Sequence, residues 1–275
     1  MATPITFIGG GNMASAIAGG LIAKGAPAAS VRVIEPSAAQ RTRLASLHPD
    51  IELHAEPAAA AFAGAGAAVF AVKPQQMREA ATAAAALIAE VPVVLTIAAG
   101  VRCTDLARWL GGYARIARAM PNTPALIGAG ISAYYATPDS LDHAAVVEDI
   151  LRACGDVLRV DDERALDAVT GISGSGPAYV FYFLEALERA ARELGFSAAD
   201  ARRLAYATFD GSIRLALASG DDAGTLRERV TSKGGTTARA LGVLESAGAG
   251  DALVAAVKAA ATRAAELGDE FGRDP

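Results

Sequence analysis

The chain has few of the residues that usually carry metal or acid–base chemistry. It contains two cysteines and three histidines in 275 residues. Cys103 and Cys154 have no metal-ligand spacing. None of the histidines, His48, His54 and His143, lies beside a glycine motif. We therefore expect no metal site, free thiols of the kind found in cytoplasmic proteins, and a mechanism that does not depend on histidine.

Basic surfaces and long apolar helices are also missing. Lys and Arg number 25 against 30 Asp and Glu, a net charge of −5, and no basic run is long enough for nucleic acid or an anionic membrane. The uncharged stretch 119–138 contains Pro121 and Pro124, which excludes a clean membrane helix there. Met1-Ala2-Thr3-Pro4 lacks the basic segment of a signal peptide. The sequence predicts a cytoplasmic protein that binds neither nucleic acid nor membrane.

Apolar strands alternate with helices over the first 160 or so residues. Strands are predicted at 5–8, 31–34, 51–53, 67–72, 93–96, 115–120, 131–136 and 156–160. Helices are predicted at 13–24, 38–46, 57–63, 77–89, 103–110 and 141–153. This alternation indicates βαβ units in an α/β fold with a Rossmann-like, mostly parallel sheet.

After residue 162 the strand pattern ends. Helices are predicted at 178–194, 198–219, 226–230, 236–246 and 251–267. We therefore predict a dinucleotide-binding domain at 1–162 and an all-helical domain at 163–275. The run Tyr179-Val180-Phe181-Tyr182-Phe183-Leu184 is apolar on every side of its helix and needs burial all round. It predicts a subunit interface.

The first chemical motif, Phe7-Ile8-Gly9-Gly10-Gly11-Asn12-Met13-Ala14, joins the first strand to the first helix. It has the G-x-G-x-x-A pattern of dinucleotide-binding proteins. In that pattern Gly9 makes a tight turn, Gly11 lets the backbone approach a pyrophosphate, and Ala14 packs the helix on the sheet. An ordinary glycine-rich turn is the alternative. The place of the motif, after an N-terminal strand and before a helix, favours a dinucleotide.

Glu35 ends the second strand, about 20 residues beyond the glycine motif, where an acid usually accepts the ribose hydroxyls of NAD. A 2′-phosphate would be repelled there. Ser37, Arg41 and Arg43 follow, and any of them could instead hold that phosphate. A solvated strand end is a further interpretation. The cofactor is predicted to be NADPH or NADH, with the choice open.

Two further strand tips are predicted to line the cofactor cleft, because ligands of such sheets lie beyond the carboxyl ends of the strands. In Ala71-Val72-Lys73-Pro74, Lys73 could meet phosphate or ribose, or be a plain surface charge. The small residues Ala98-Ala99-Gly100 leave room for a nicotinamide. Asn122, in a proline-rich loop, is an amide candidate near the nicotinamide, although the prolines alone would explain a turn.

The segment Val230-Thr231-Ser232-Lys233-Gly234-Gly235-Thr236-Thr237 places two glycines among four hydroxyls just before a predicted helix. Glycine permits close approach of the backbone, and a helix N-terminus suits a small anion such as a carboxylate. The hydroxyls form hydrogen bonds without carrying charge. The alternative is a Ser/Thr-capped helix after a glycine turn.

Three segments together resemble the pyrroline-5-carboxylate reductase family. They are Ala71-Val72-Lys73-Pro74, the run 167–179 with its Ser173-Gly174-Ser175-Gly176-Pro177, and Ser232-Lys233-Gly234-Gly235-Thr236-Thr237. The run 173–177 by itself could be a plain linker. The resemblance covers nearly the whole chain. It implies reduction of the cyclic imine Δ1-pyrroline-5-carboxylate to L-proline with NAD(P)H, the last step of proline biosynthesis. It also implies a helical dimerisation domain, a homodimer, and a ring of dimers such as a decamer of five.

The resemblance also implies roles for single residues. Thr236 and Thr237 would bind substrate, and Ser232, Gly234 and Gly235 would supply the carboxylate site. Glu163 and Val230 would lie beside the substrate ring. By the same resemblance, Gly9 to Ala14, Val72-Lys73-Pro74 and Ala98-Ala99-Gly100 would hold the cofactor. Together with the residues singled out from their own patterns, the predicted cofactor-binding residues are Ile8, Gly9, Gly10, Gly11, Asn12, Met13, Ala14, Glu35, Ser37, Ala71, Val72, Lys73, Pro74, Ala98, Ala99, Gly100 and Asn122.

The chain departs from the family pattern at two places. Where members often have an asparagine before the fourth strand, this chain reads Glu56-Pro57-Ala58. Members commonly prefer NADP, yet Glu35 occupies the end of the second strand.

The chemistry agrees with the residues available. A cyclic imine is partly protonated and already electrophilic, so hydride transfer needs orientation more than a strong acid. We expect the Thr237 hydroxyl to bond the ring nitrogen, and Ser232 with the N–H groups of Gly235 and Thr236 to bind the carboxylate.

Two other functions are compatible with the fold. A β-hydroxyacid dehydrogenase would need a lysine on a glycine-rich helix, but after Lys73 only Lys233 and Lys258 remain. A non-catalytic nucleotide-binding protein would not need an intact 232–237 segment.

Overall fold

A computed structural model describes residues 3–273 of the chain. Met1 and Ala2, on which part of the signal-peptide prediction rests, lie outside the described residues, as do Asp274 and Pro275.

Eight strands form one sheet at the centre of the N-terminal part. Their bounds are β1 Ile5–Ile8, β2 Val31–Ile34, β3 Glu52–His54, β4 Ala67–Phe70, β5 Val94–Thr96, β6 Ile116–Met120, β7 Gly130–Ala136 and β8 Gly155–Arg159. The order across the sheet is β3-β2-β1-β4-β5-β6-β7-β8. Only β6 and β7 pair antiparallel, because the loop between them is too short for the crossover that parallel neighbours need. The predicted Rossmann-like, mostly parallel sheet is confirmed.

Both faces of the sheet are buried under helices. The helices that follow the strands are α1 Asn12–Ala23, α2 Ala38–Leu47, α3 Ala59–Phe62, α4 Pro74–Ala84, α5 Cys103–Trp109, α6 Ala144–Arg152 and α7 Ala165–Val169. Along β4, Ala67 and Val69 belong to one apolar core and Ala68 and Phe70 to the other. Alternate side chains of a strand point to opposite faces, so the fully apolar strand is explained by two helix layers.

The sequence patterns predict which helices and strands form more accurately than they predict where these elements begin and end. The strand predicted at 67–72 ends at Phe70, and the helix predicted at 141–153 begins at Ala144 after a 3₁₀ turn. Helix α7 and the wide turn Thr170–Gly174 behind it are not in the prediction. A five-residue helix is too short to show a helical period.

The remaining helices are α8 Gly176–Glu193, α9 Ala198–Ser219, α10 Ala223–Arg229, α11 Thr236–Ser246 and α12 Ala249–Gly272. Contacts divide the chain into two compact units. The first unit extends to Ser175 and includes the chain from Lys258 onward, and the second is Gly176–Val257. This division differs from the predicted one at 162/163 because α7 and the end of α12 pack in the first unit. The predicted boundary stays a prediction.

No single helix within residues 3–273 is long and apolar enough to cross a membrane. The pair α11 and α12, bent by 49°, meets that test only when the two are taken together, by length and composition.

Both cysteines are free and buried. Burial raises the pKa of the Cys154 thiol to about 11. Burial, and then the charge of Glu163, raise the pKa of the Cys103 thiol. Both side chains are therefore neutral, weakly nucleophilic thiols at neutral pH.

A buried arginine ties three elements of the first unit together. Arg118, on β6, is only 4% exposed. Its Nη1 lies 3.1 Å from Oε1 of Glu163, and its Nη2 lies 3.2 Å from Oδ1 of Asp167 on α7. Oε1 of Glu163 also accepts a hydrogen bond of 2.8 Å from the N–H of Cys103, the first residue of α5. Loss of Arg118 would leave two carboxylates without their cation.

We predict that Arg118→Leu destabilises the protein by about 3–5 kcal/mol, because removal of one partner leaves buried charge uncompensated. Urea unfolding followed by circular dichroism measures the change. The matched control is Arg214→Leu, which breaks an exposed pair with Asp210 and should leave the unfolding midpoint nearly unchanged. Equal midpoints for Arg118→Leu and the unmodified protein would show that the buried pair does not hold these elements.

Candidate active site

The glycine motif forms a turn that only glycine can make. Gly9 has φ +98°, and a Cβ there would lie 2.9 Å from Cγ1 of Val72. Its N–H donates to the carbonyl oxygen of Ile34 at 2.8 Å, which joins the ends of β1 and β2. Gly11 precedes α1 and no side chain caps that helix. A Cβ on Gly11 would meet nothing within 4 Å, so the N-terminus of α1 is open to an anionic group such as a pyrophosphate.

A cleft of about 450 Å³ lies at the carboxyl ends of β1, β2 and β4, within the size range of small-molecule sites. The strand order reverses there, which is where doubly wound sheets bind their ligands. The cleft brings together seven of the residues predicted to bind the cofactor: Ile8, Gly9, Gly11, Glu35, Ala71, Val72 and Lys73. Glu56 and Pro57, from the segment that departs from the family pattern, also line it.

The backbone fixes the Glu35 carboxylate. Oε2 accepts a hydrogen bond of 2.9 Å from the N–H of Gly10, and Oε1 accepts one of 2.8 Å from the N–H of Ser37. The Ser37 hydroxyl caps α2 by accepting from the N–H of Gln40. The Gln40 side chain in turn donates to the carbonyl oxygen of Gly10 at 2.5 Å. Sequence reasoning missed Gln40, because nothing in its pattern distinguishes it from a solvated helix residue.

Other predicted cofactor residues lie around this cleft in supporting positions. Ala14 is buried and Met13 is partly buried in the core beneath α1, as the fingerprint requires of Ala14. Oδ1 of Asn12 accepts from Nη1 of Arg43 at 3.2 Å. Pro74 is the first residue of α4, a position where a backbone N–H would have no acceptor within the helix.

The tip after β5 is covered on one side by the last helix. A Cβ on Gly100 would lie 3.1 Å from Cδ2 of Phe271 and 3.3 Å from Cβ of Leu267. Ala98 is 5% exposed, and Ala99 lies between them. Their contact with a nicotinamide stays a prediction.

The side chains of two predicted site residues form hydrogen bonds with other residues of the protein. The Asn122 side chain donates to the carbonyl oxygen of Ser173 at 3.2 Å and accepts from the N–H of Ile131 at 3.0 Å. Glu163 is held by Arg118 and by the N–H of Cys103. Direct roles for Asn122 at the nicotinamide and Glu163 at the substrate therefore stay predictions. Arg118 was missed, although an arginine inside an otherwise apolar strand signals a buried ion pair.

In the second unit, Gly234 and Gly235 form the entry to α11. Gly234 has φ +72°, in the left-handed region, and a Cβ there would meet nothing within 4 Å. Gly235 is the N-cap of α11, and no side chain caps the helix. By contrast, Ser197 caps α9 and Asp222 caps α10. The hydroxyls of this segment do not serve as the N-cap, so the alternative of a plain Ser/Thr-capped helix is wrong.

One N–H group of the predicted carboxylate site has a partner within the protein, and its contact with the carboxylate stays a prediction. The N–H of Gly235 donates to the carbonyl oxygen of Ser232 at 3.0 Å, which closes the turn at Gly234. The N–H groups of Thr236 and Thr237, in the first turn of α11, have no acceptor within the helix. Ser232 and Val230 are exposed, while Thr237 is half-buried.

Within residues 3–273, no group of three or more His, Cys, Asp or Glu side chains is arranged to hold a metal ion.

Comparison with known proteins identifies both parts of the chain. Residues 163–267 match the family model described as pyrroline-5-carboxylate reductase dimerisation. Residues 4–100 match the one described as NADP oxidoreductase coenzyme F420-dependent. A relative from Pseudomonas aeruginosa, named pyrroline-5-carboxylate reductase, is 41% identical over 99% of this chain and 100% of its own length.

Solved structures agree over the whole fold. A pyrroline-5-carboxylate reductase from Coxiella burnetii superposes with a TM-score of 0.90 at 36% identity, covering 97% of this chain and 99% of that one. A pyrroline carboxylate reductase from Plasmodium falciparum, solved with NADP bound, gives a TM-score of 0.85 at 26% identity and covers 97% and 98%. The predicted fold class and NAD(P)H-dependent oxidoreductase class are confirmed. The chain belongs to the pyrroline-5-carboxylate reductase family.

Proposed function

We propose that the protein reduces Δ1-pyrroline-5-carboxylate to L-proline with NAD(P)H by binding the substrate on the uncapped start of α11. The observation that carries this proposal is the contrast among three helices of the second unit. Side chains cap α9 and α10, whereas α11 begins at Gly235 without a cap. An uncapped helix start supplies free N–H groups and a positive dipole end, which suit a carboxylate.

The carboxylate would be held by the N–H groups of Thr236 and Thr237. A Cβ on Gly234 would meet nothing within 4 Å, so the space beside this glycine is open to a small anion. The Ser232 hydroxyl lies against Gly235 and would donate a further hydrogen bond to the carboxylate. This arrangement binds an anionic substrate without placing a cationic side chain beside the imine.

The Thr237 hydroxyl would hold the ring nitrogen. In α9, the Thr208 hydroxyl donates to the carbonyl oxygen four residues earlier at 2.7 Å. The Thr237 hydroxyl has no hydrogen-bond partner within residues 3–273, so it is available to a ligand. When bound, the nicotinamide supplies a hydride to the imine carbon. The protein's task is then to orient the ring and its nitrogen at near-attack distance.

The cofactor would be held in the cleft of the first unit. Gly11 and the uncapped start of α1 would face the pyrophosphate, and Glu35 would accept the adenosine ribose hydroxyls. Lys73, exposed at the tip after β4, would meet phosphate or ribose.

The second unit exposes the apolar face of α8. Tyr182 is 70% exposed and Phe181 is 61% exposed in the single chain. An exposed face of large apolar side chains favours burial against another surface, and the matched family region is a dimerisation region. We propose that this face of α8 forms the centre of a homodimer, five of which assemble into a decamer. We also propose a cytoplasmic location, which the two free thiols support.

The activity is tested by following NADH and NADPH oxidation at 340 nm with Δ1-pyrroline-5-carboxylate. We expect turnover with this imine and no reduction of NAD⁺ or NADP⁺ with a 3-hydroxy acid. Turnover of the hydroxy acid alone would indicate a β-hydroxyacid dehydrogenase, and turnover of neither would indicate a nucleotide-binding protein without catalysis.

Thr237→Val removes one hydroxyl at nearly constant volume. We expect kcat/KM to fall roughly 5- to 150-fold. This corresponds to a loss of about 1–3 kcal/mol in transition-state stabilisation, the scale of one hydrogen bond to a charged group. The matched control is Thr236→Val, because Thr236 is proposed to contribute its N–H, which valine keeps. Steady-state kinetics with saturating cofactor measures both variants. Full activity of Thr237→Val, or equal losses in both variants, would contradict the role given to its hydroxyl.

Replacing an aromatic residue at the centre of the α8 face should separate the subunits. Tyr182→Glu is expected to weaken association by about 2 kcal/mol or more, roughly 30-fold in the dimer Kd, because buried aromatics dominate interfaces. Light scattering over a concentration series measures the mass. Leu47→Glu, on α2 in the first unit, is the control for adding a charge at an exposed leucine. A stable monomer of the unmodified protein would contradict the dimer.

A further inference from the structure

Glu35 is fixed at the adenosine end of the cofactor cleft. Its two carboxylate oxygens are held by N–H groups on both sides, 2.9 Å from Gly10 N and 2.8 Å from Ser37 N. Gly10 is buried, and a Cβ on it would lie 3.3 Å from Cβ of Glu35. If the side chain moved aside, the N–H of the buried Gly10 would lose its acceptor, which is costly for a buried donor. These two hydrogen bonds hold the carboxylate in the cleft wall.

The two arginines that could hold a 2′-phosphate each donate a hydrogen bond to another group of the protein. Nη1 of Arg41 donates to the carbonyl oxygens of Glu35 and Pro36 at 2.7 and 2.8 Å. Nη1 of Arg43 donates to the Asn12 side chain, and Arg43 lines a separate cavity with Lys24 and His48. Neither arginine lines the cofactor cleft.

The charge of the cleft is negative overall. The charged residues along its wall are Glu35, Glu56, Glu79 and Lys73, three carboxylates against one ammonium group. A 2′-phosphate beside Glu35 would add about two negative charges to this wall. A ribose with free 2′- and 3′-hydroxyls would instead donate hydrogen bonds to the fixed carboxylate.

We infer that this chain is selective for NADH over NADPH, and that Glu35, held by Gly10 and Ser37, is the residue that sets the selectivity. The inference rests on the proposed function, because it places the cofactor in this cleft. It concerns this chain alone: the relative solved with NADP bound is 26% identical to it.

The test is binding of the cofactors and their adenosine fragments, measured by calorimetry on the purified protein without substrate. The unmodified protein should bind NADH at least about tenfold more tightly than NADPH, and 5′-AMP more tightly than 2′,5′-ADP. Glu35→Gln, which keeps the size of the side chain, should bring the two cofactors close to equal affinity. Glu35→Ser should reverse the preference.

The matched control is Glu90→Gln, which removes the same charge from an exposed residue of the first unit that does not line the cleft. It should leave the NADPH-to-NADH affinity ratio within about twofold of that of the unmodified protein. Thermal unfolding of each variant checks its fold. Equal or tighter binding of NADPH by the unmodified protein would overturn the inference, as would equal changes of the ratio in Glu35→Gln and Glu90→Gln. Absence of binding for both cofactors would instead overturn the proposed function.

Discussion

The left-handed turn at Gly9 determines the geometry of the cofactor cleft. It lets the N–H of Gly9 reach the carbonyl oxygen of Ile34 and thereby joins the ends of β1 and β2. The same turn presents the N–H of Gly10 to the Glu35 carboxylate and leaves Gly11 open at the start of α1. Any side chain at Gly9 would meet Val72 and an unfavourable φ. One backbone conformation therefore places the proposed pyrophosphate site and the proposed ribose acceptor together.

The two proposed anion sites use the same physical means. In each, a glycine turn leads into a helix whose first N–H groups have no side-chain cap, at Gly11 for α1 and at Gly235 for α11. Backbone N–H groups bind anions without titrating, so binding does not vary with side-chain protonation. The imine, which is partly cationic when protonated, then needs no strong acid near it. This explains how reduction can proceed without histidine or a metal in the proposed site.

Much of the fold could be predicted from the sequence because its signals are local. The apolar runs of β1 and β4, the fingerprint from Gly9 to Ala14, and the position of Glu35 are all short-range patterns. The bounds of α9 and α11 agree with the sequence prediction because Ser197 and the glycine pair Gly234 and Gly235 mark their starts. Helix α7 was missed because five residues show no period.

What the sequence could not predict depends on contacts between distant residues. The ion pairs of Arg118 with Glu163 and Asp167 join residues more than 40 positions apart. The Asn122 side-chain amide forms hydrogen bonds with Ser173 and Ile131. The use of the Gly235 N–H within its own turn depends on the φ of Gly234, which a glycine pair alone does not specify. Three of the residues in these contacts, Glu163, Asn122 and Gly235, are ones that the sequence prediction assigned to a ligand, and those roles stay predictions.

The central claim is that backbone N–H groups of the 232–237 segment, rather than a cationic side chain, bind the substrate carboxylate. A crystal structure of the protein with NADH and L-proline tests it directly. We expect the proline carboxylate within hydrogen-bond distance of the N–H groups of Thr236 and Thr237, and its ring nitrogen beside the Thr237 hydroxyl. A proline carboxylate held by an arginine or lysine side chain, away from the start of α11, would contradict the account.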